Sequence, residues 1–273
     1  ALDRFAAAGK AGLAASGFSK GLAPFLGTLA GQAESLRARL QRRGFRLAFQ
    51  PIVTIADRRP HHFEALVRPL GGQDGAETPQ SFVTLIEAAG LSAELDLAVT
   101  AMASGSVLAS RSSAVAVNVS GVSLQDAAFR SSLEQTLDAA PELKGRLLFE
   151  LTETAEIDDV RAVRATIESL RARGFAVCID DFGAGAASLR YLRQFEVDYA
   201  KIDGTYVRGA EASLRDRELL AQMVDLCRAV GARVIAEQIE TEAQVAIVRD
   251  LGIELGQGNL FGKPGHLPGL VGR

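Results

Sequence analysis

From Phe45 onward the sequence alternates short runs rich in β-branched and aromatic residues with longer stretches of helical period. The runs are FRLAFQPIV (45–53), HHFEALVR (61–68), AVAVNVS (114–120), LLFELTE (147–153), FAVCIDD (175–181), YAKID (199–203), RVIAEQIE (233–240) and QGNLFG (257–262), which predicts eight strands. Between them Val160, Val163, Ile167 and Leu170 recur at three and four, with Gly174 behind them as a C-cap. Leu219, Leu220, Met223, Val224, Cys227 and Val230 repeat the scheme and Gly231 closes it; such stripes are core faces. Eight strands alternating with helices over about 230 residues point to a (β/α)8 barrel rather than an open doubly wound sheet. One joint is irregular. TIADRRP, between the first two runs, is too short for a parallel crossover and predicts an antiparallel hairpin. The expected fold is α/β: a modified (β/α)8, TIM-like barrel with its first strand antiparallel.

Ahead of the barrel, residues 1–43 read as an N-terminal helical lead-in or linker and residues 44–273 as the barrel domain. The lead-in is Ala/Gly-rich up to about residue 31, and QAESLRARLQRR (32–43) then sets Leu36 and Leu40 at helical spacing among arginines. No stretch reaches the roughly 18 consecutive apolar residues of a membrane span, so a soluble, cytoplasmic domain is expected. The chain begins with Ala rather than Met, which suggests a piece of a longer protein or a processed N-terminus and leaves room for an upstream sensory or membrane region absent from it. Hydrophobic residues make up 48% and charged residues 23%, with a net charge of -3, which argues against disorder and against a surface that coats DNA or RNA.

Cys178 and Cys227 lie in apolar periodic segments without metal-ligand spacing and read as buried thiols. His61, His62 and His266 fall at predicted turns or near the C-terminus, so surface placement is expected and no catalytic His. Acid chemistry rests on carboxylates.

The ends of the runs supply them. Glu64, Asn118, Glu150, Glu153, Asp180, Asp181, Lys201, Asp203, Glu237, Glu240 and Gln257 stand at or near the C-terminal ends of their runs, and in a barrel those ends converge on one mouth. Any one of these acids alone reads as a solvated or salt-bridged group. A converging set would repel itself without cations. Oxygen donors without Cys or His suit Mg²⁺ or Mn²⁺, and this many carboxylates can hold two ions that activate water for in-line attack on phosphorus.

The motifs FQPIV, FEALVR, VNVS, LLFELTE, IDDFGAG, KID, AEQIE and QGNLFGKP, in this order from Phe45 to Pro264, resemble the EAL-domain cyclic di-GMP phosphodiesterases of bacteria. The resemblance implies a two-metal enzyme that hydrolyses cyclic di-GMP to 5′-pGpG. It implies Glu64, Asn118, Glu150 and Asp180 as ligands of one ion, and Asp180, Asp181 and Glu237 as ligands of the other. Lys201 would orient water or stabilise charge on the phosphate, and Glu237 would assist deprotonation. Arg68 would contact phosphate, Gln50 and Gln257 the nucleotide, and Glu153 would anchor the loop after Asp181, with Asp203 and Glu240 lining the site. A homodimer through helices near that loop is likewise implied. The sequence departs from the family's pattern at Ala184, Ala186 and Ala187, where the loop loses hydroxyls, at Gln238, where many members carry Gly, and at Pro69-Leu70, where an aromatic residue often follows the arginine. These changes leave a second reading, a catalytically silent cyclic di-GMP receptor that signals through the N-terminal segment or a protein partner.

Overall fold

The computed structural model describes residues 22–70, 78–110, 112–152, 157–185 and 188–269. Among them eight strands close a barrel in chain order: β1 (Phe45–Thr54), β2 (Pro60–Pro69), β3 (Val115–Ser120), β4 (Leu147–Thr152), β5 (Ala176–Phe182), β6 (Tyr199–Ile202), β7 (Arg233–Ala236) and β8 (Leu255–Gln257). β1 runs antiparallel to both β2 and β8, and the remaining pairs are parallel. The expected hairpin is present: Arg58 turns the chain with φ +57 and donates its N–H to Thr54 O at 2.9 Å. A long helix, α1 (Leu22–Gln41), precedes the barrel; the earlier part of the lead-in lies outside the described residues.

The helices that wrap the strands are α2 (Pro79–Ala88), α3 (Ser92–Ala109), α4 (Gly121–Gln125), α5 (Ala127–Asp138), α6 (Val160–Ala172), α7 (Ser188–Gln194), α8 (Gly204–Ala212), α9 (Leu214–Ala229) and α10 (Glu242–Asp250). Local chemistry sets their ends. Asp159 accepts from Ala162 N to start α6, and Gly174, at φ +89, leaves it in the left-handed conformation the sequence predicts there. Gly231, at φ +84, follows α9 in the same way. Thr241 and Gln244 form a reciprocal capping box on α10.

Period-two alternation divides each strand between two environments. Val117, Phe149, Val177, Ala200 and Ala236 pack outward in the large core between barrel and helices, whereas Ile52, Cys178, Ile235 and Leu255 form a separate small cluster with Tyr199 inside the barrel. Two residues further along each strand toward the mouth, the inward positions become polar.

Two runs end differently from their sequence reading. The seventh stops at Ala236, not residue 240, because Gln238 takes φ +54, although Glu237 N still donates to Ile202 O at 3.1 Å. The eighth occupies 255–257 rather than 257–262; its remainder is a turn in which Phe261 N and Gly262 N both donate to Gly258 O. Only glycine fits at 258, since a Cβ there would collide with the Ile239 carbonyl.

The cysteines are buried free thiols as expected. The histidines correct the sequence reading: His61 and His62 lie within β2, and His62 is buried against Tyr199 rather than placed at the surface. Burial, then the neighbouring His61 and Lys201, push the His62 pKa down to about 3, so the ring is neutral at pH 7 and takes no part in acid–base work there.

Candidate active site

Seven strands and the residue just past β7 each deliver one polar side chain to the ring: Gln50, Glu64, Asn118, Glu150, Asp180, Lys201, Glu237 and Gln257. At its centre the Lys201 ammonium lies 2.8 Å from Glu237, 2.9 Å from Asp180, 3.1 Å from Glu150 and 3.2 Å from Glu64. All five groups are nearly excluded from solvent, Lys201 at 1% exposure and Glu150 at 0%. Amides complete the ring. Asn118 Nδ2 donates to Glu64 Oε1 at 2.8 Å and Gln257 Nε2 to Glu64 Oε2 at 2.6 Å. Gln257 Nε2 also reaches Gln50 Oε1 at 3.3 Å, while Gln50 Nε2 donates to Gly262 O at 3.1 Å.

One buried lysine facing four carboxylates leaves a formal charge of -3 in a medium that solvates it poorly. The protonation equilibria record that imbalance. Burial would depress the Lys201 pKa, but the four carboxylates outweigh it and hold it well above its ordinary value. Burial raises Glu64, yet Lys201, Gln257 and Asn118 outweigh burial and the carboxyl lies below its usual range. For Glu150 and Glu237 burial prevails over Lys201, lifting Glu150 well above a normal carboxyl and Glu237 to about 8. The shared lysine satisfies only part of the ring.

What the ring lacks is positive charge. Asn118 Oδ1, Glu150 Oε1 and Gln257 Oε1 are buried acceptors with no hydrogen-bond donor. One oxygen from each of Glu64, Glu150 and Asp180 can be chosen within 4.8 Å of one another, and the same holds for Asp180, Asp181 and Glu237. Asp180 belongs to both groups. An all-oxygen donor set with orphaned acceptors fits hard divalent cations.

Asp181 sits on the rim in the left-handed region, at φ +51, exposed, and accepts from Ala184 N at 3.0 Å. Adjacent aspartates therefore point to different places: Asp180 inward to the ring, Asp181 to its edge. Ala184 is exposed; Ala186, Ala187 and Glu153 lie outside the described residues.

A cleft of about 270 Å³ opens beside the ring between the end of β2 and helices α2 and α3, with Arg68, Asn118, Asp180 and Asp181 in its lining. The remaining residues singled out in the sequence fall elsewhere. Asp203 caps α8 by accepting from Thr205 N, and Glu240 is exposed with its backbone N–H donated to Gln244, so neither joins the ring. Gln238 is also exposed, bonded to Arg208 at 2.6 Å, and Gly204 lacks the Cβ that would collide with it.

The cleft lining contains two acids the sequence reading missed, Glu87 and Asp96, and the second is buried. Asp96 on α3 is 7% exposed and accepts from Ser120 N at 2.9 Å. Its signal is a pattern: Ser92, Asp96, Thr100 and Ser104, all buried, repeat at spacing four along a mostly apolar helix. Burial raises the Asp96 pKa from 3.8 to about 6 against the pull of its Ser123 and Ser120 hydrogen bonds. Between those two values the folded chain holds a proton that the unfolded chain has released, so this group's contribution to stability falls as pH rises through the window. Asp96→Asn, which keeps an acceptor for Ser120, is therefore expected to stabilise the protein by about 1–3 kcal/mol at pH 7. The gain disappears near pH 4. Urea unfolding at both values checks this, and a gain independent of pH would contradict it.

Comparison with known proteins places this geometry. The family described as EAL domain matches residues 33–264. Cyclic di-GMP phosphodiesterase NbdA of Pseudomonas aeruginosa is 33% identical over 242 residues, covering 87% of this chain and 31% of that protein. Cyclic di-GMP phosphodiesterase PdeF of Escherichia coli is 31% identical over 233 residues, covering 84% of this chain and 31% of that protein. The chain thus spans about a third of the length of these curated relatives. Among solved structures, the PaMucR phosphodiesterase in its c-di-GMP complex is similar with a TM-score of 0.75 and 29% identity, covering 88% of this chain and 100% of that one. A closed barrel with its first strand reversed and a match over residues 33–264 lead to one conclusion: the chain belongs to the EAL domain family.

Proposed function

We propose that the chain is a metal-dependent phosphodiesterase that hydrolyses cyclic di-GMP to 5′-pGpG. The observation that carries this reading is the buried ring of four carboxylates with unpaired acceptors beside a cleft that contains Arg68. Glu64, Asn118, Glu150 and Asp180 would hold one Mg²⁺ or Mn²⁺, and Asp180, Asp181 and Glu237 a second, in accord with the two carboxylate groups that share Asp180. When bound, the two ions supply Lewis-acid neutralisation of charge at the phosphoryl group.

The protein's own residues do the rest. Water attacks phosphorus, the bond from phosphorus to O3′ breaks, and the phosphate stays on the 5′ oxygen. With cations offsetting the ring's charge the Glu237 carboxyl would be held deprotonated, so that it accepts the proton of the attacking water while the departing O3′ takes one from solvent. Lys201, held at the centre of the ring, stabilises the charge that develops on the phosphate. The Arg68 guanidinium offers a fork to a phosphate, and Gln50 and Gln257 present amides to the nucleotide. Glu153 would anchor the loop after Asp181. NbdA and PdeF, each named a cyclic di-GMP phosphodiesterase, are relatives at about one-third identity and support the reading.

A second reading is a cyclic di-GMP receptor without turnover, favoured by one observation: the turn after Asp181 carries Ala184, exposed and without a hydroxyl to secure it. Incubation with cyclic di-GMP and Mg²⁺ or Mn²⁺, followed by chromatography, separates the two. Formation of pGpG that stops with chelator is expected; tight binding without product selects the receptor. We further propose a homodimer through the helices near the Asp181 loop, a cytoplasmic location, and no DNA or RNA polymer as partner. Among the described residues no helix is long and apolar enough to cross a membrane.

A further inference from the structure

Because β1 is reversed, the chain enters the barrel at the mouth that carries the ring. Phe45, the first residue of β1, pairs with Pro69 at the C-terminal end of β2. In a barrel of eight parallel strands the first strand would begin at the opposite end, away from the catalytic face. Helix α1 is thereby delivered to the rim of the cleft.

Its last turns hold three parts of the cleft wall. Arg39 Nη2 donates to Leu70 O at 2.9 Å, two residues beyond Arg68. The same guanidinium lies over the Phe82 ring, with 4.8 Å from Cζ to the centroid. Phe82 is fully buried on α2, the helix whose Gln80 and Val83 line the cleft. Arg37 pairs with Glu94 at 3.3 Å, immediately before the cleft residues Leu95 and Asp96. The backbone closes around this contact: Gly44 N donates to Arg39 O at 2.8 Å and Leu70 N to Gly44 O at 2.9 Å. Gly44 must be glycine, because a Cβ would collide with the Arg39 side chain.

The two arginines differ in weight. Arg37–Glu94 is an exposed pair and contributes little. Arg39 combines a stack on a buried ring with a charged donor to a backbone carbonyl, and it joins elements that are otherwise separate in sequence. The carboxylates of the ring, by contrast, are fixed by the strands and by Lys201 and do not depend on α1.

We propose that Arg39 is a positioning residue for substrate: it fixes the wall made by the end of β2 and by α2, so that shifting α1 alters affinity for cyclic di-GMP while leaving the chemical step intact. This rests on the functional reading above. The test uses the whole 273-residue chain with Arg39→Ala and Arg39→Lys, measuring thermal melting, KM, kcat, the Kd for cyclic di-GMP and the Mg²⁺ affinity by calorimetry. Arg39→Ala is expected to raise KM and Kd about tenfold, with kcat within about twofold and Mg²⁺ affinity unchanged. Arg39→Lys recovers part of the loss, since it keeps a cation near Phe82 and one donor.

A folded Arg39→Ala with wild-type KM and Kd overturns the proposal, as does a fall in kcat at unchanged KM. Should Arg39→Ala melt below the assay temperature, Arg39→Lys decides: a raised KM or Kd is expected, and wild-type values overturn it. A wild-type chain without affinity for cyclic di-GMP rejects the functional reading and this inference together. Wild-type binding matched by both Arg39 variants rejects this inference alone.

Discussion

Lys201→Met, studied in chelator at pH 7, is expected to lose about 3–5 kcal/mol of stability, the scale set by removing one partner from a buried ion pair. The reason is specific to this ring. Lys201 is the cation that Glu64, Glu150, Asp180 and Glu237 share, each within 3.2 Å, and methionine fills the space without the charge. The four carboxylates then repel one another, and the pKa values of Glu150 and Glu237, already raised by burial, rise further in the folded state. A carboxyl with a raised folded pKa binds protons that the unfolded chain releases, so the variant regains stability as pH falls toward 5. Added Mg²⁺ is expected to restore part of it at pH 7 by supplying the missing positive charge. Urea unfolding at pH 7 and pH 5, with chelator or with Mg²⁺, gives the four numbers required. Wild-type stability in chelator at pH 7 would show that Lys201 is not what balances the ring.

Glu64→Ala carries the other large effect, on turnover. Its carboxylate joins three partners at once: Asn118 at one oxygen, Gln257 and Lys201 at the other. Removing it deletes a proposed ligand, takes the acceptor from the part-buried Asn118 amide and leaves Gln257 Nε2 only its longer bond to Gln50, which costs about 1–3 kcal/mol of stability. Turnover is expected to fall by at least about 10³, comparable to losing a preorganised electrostatic group in other active sites. Glu64→Gln separates the contributions, since it keeps the shape and one of the two acceptor oxygens while discarding the charge. The Gln variant should fold nearly as well as the wild type and remain inactive. Full activity in either variant refutes the ligand assignment.

The alternation of strands and helices, the hairpin and the ring itself are readable in the sequence for a physical reason. Strand side chains alternate faces, so Glu150 follows inward-facing Leu148, Asp180 follows Cys178, and Lys201 follows Tyr199 by the same two-residue step. Where the reading fails, tertiary contact overrides local pattern. AEQIE looks like a continuing strand, yet Gln238 turns left-handed and Gly258 closes against Ile239, ending β7 and shifting β8. Glu240 is consequently exposed and does not join the ring, although it stands in a motif with Glu237. His62 reads as a turn residue until β2 buries it under the ring. Asp96 is hidden for the opposite reason: it lies on a helix, where a barrel mouth is not expected to draw its acids, and only the folded cleft brings it near Asn118 and Asp180.

The central claim is that the ring directs water onto phosphorus. Mass spectrometry of the product formed from cyclic di-GMP in ¹⁸O-labelled water with Mg²⁺ tests it in one experiment. The predicted result is linear pGpG with a single ¹⁸O on its terminal 5′-phosphate, and no product when chelator is present. Unchanged cyclic di-GMP in the presence of bound Mg²⁺, or pGpG without the label, would contradict it.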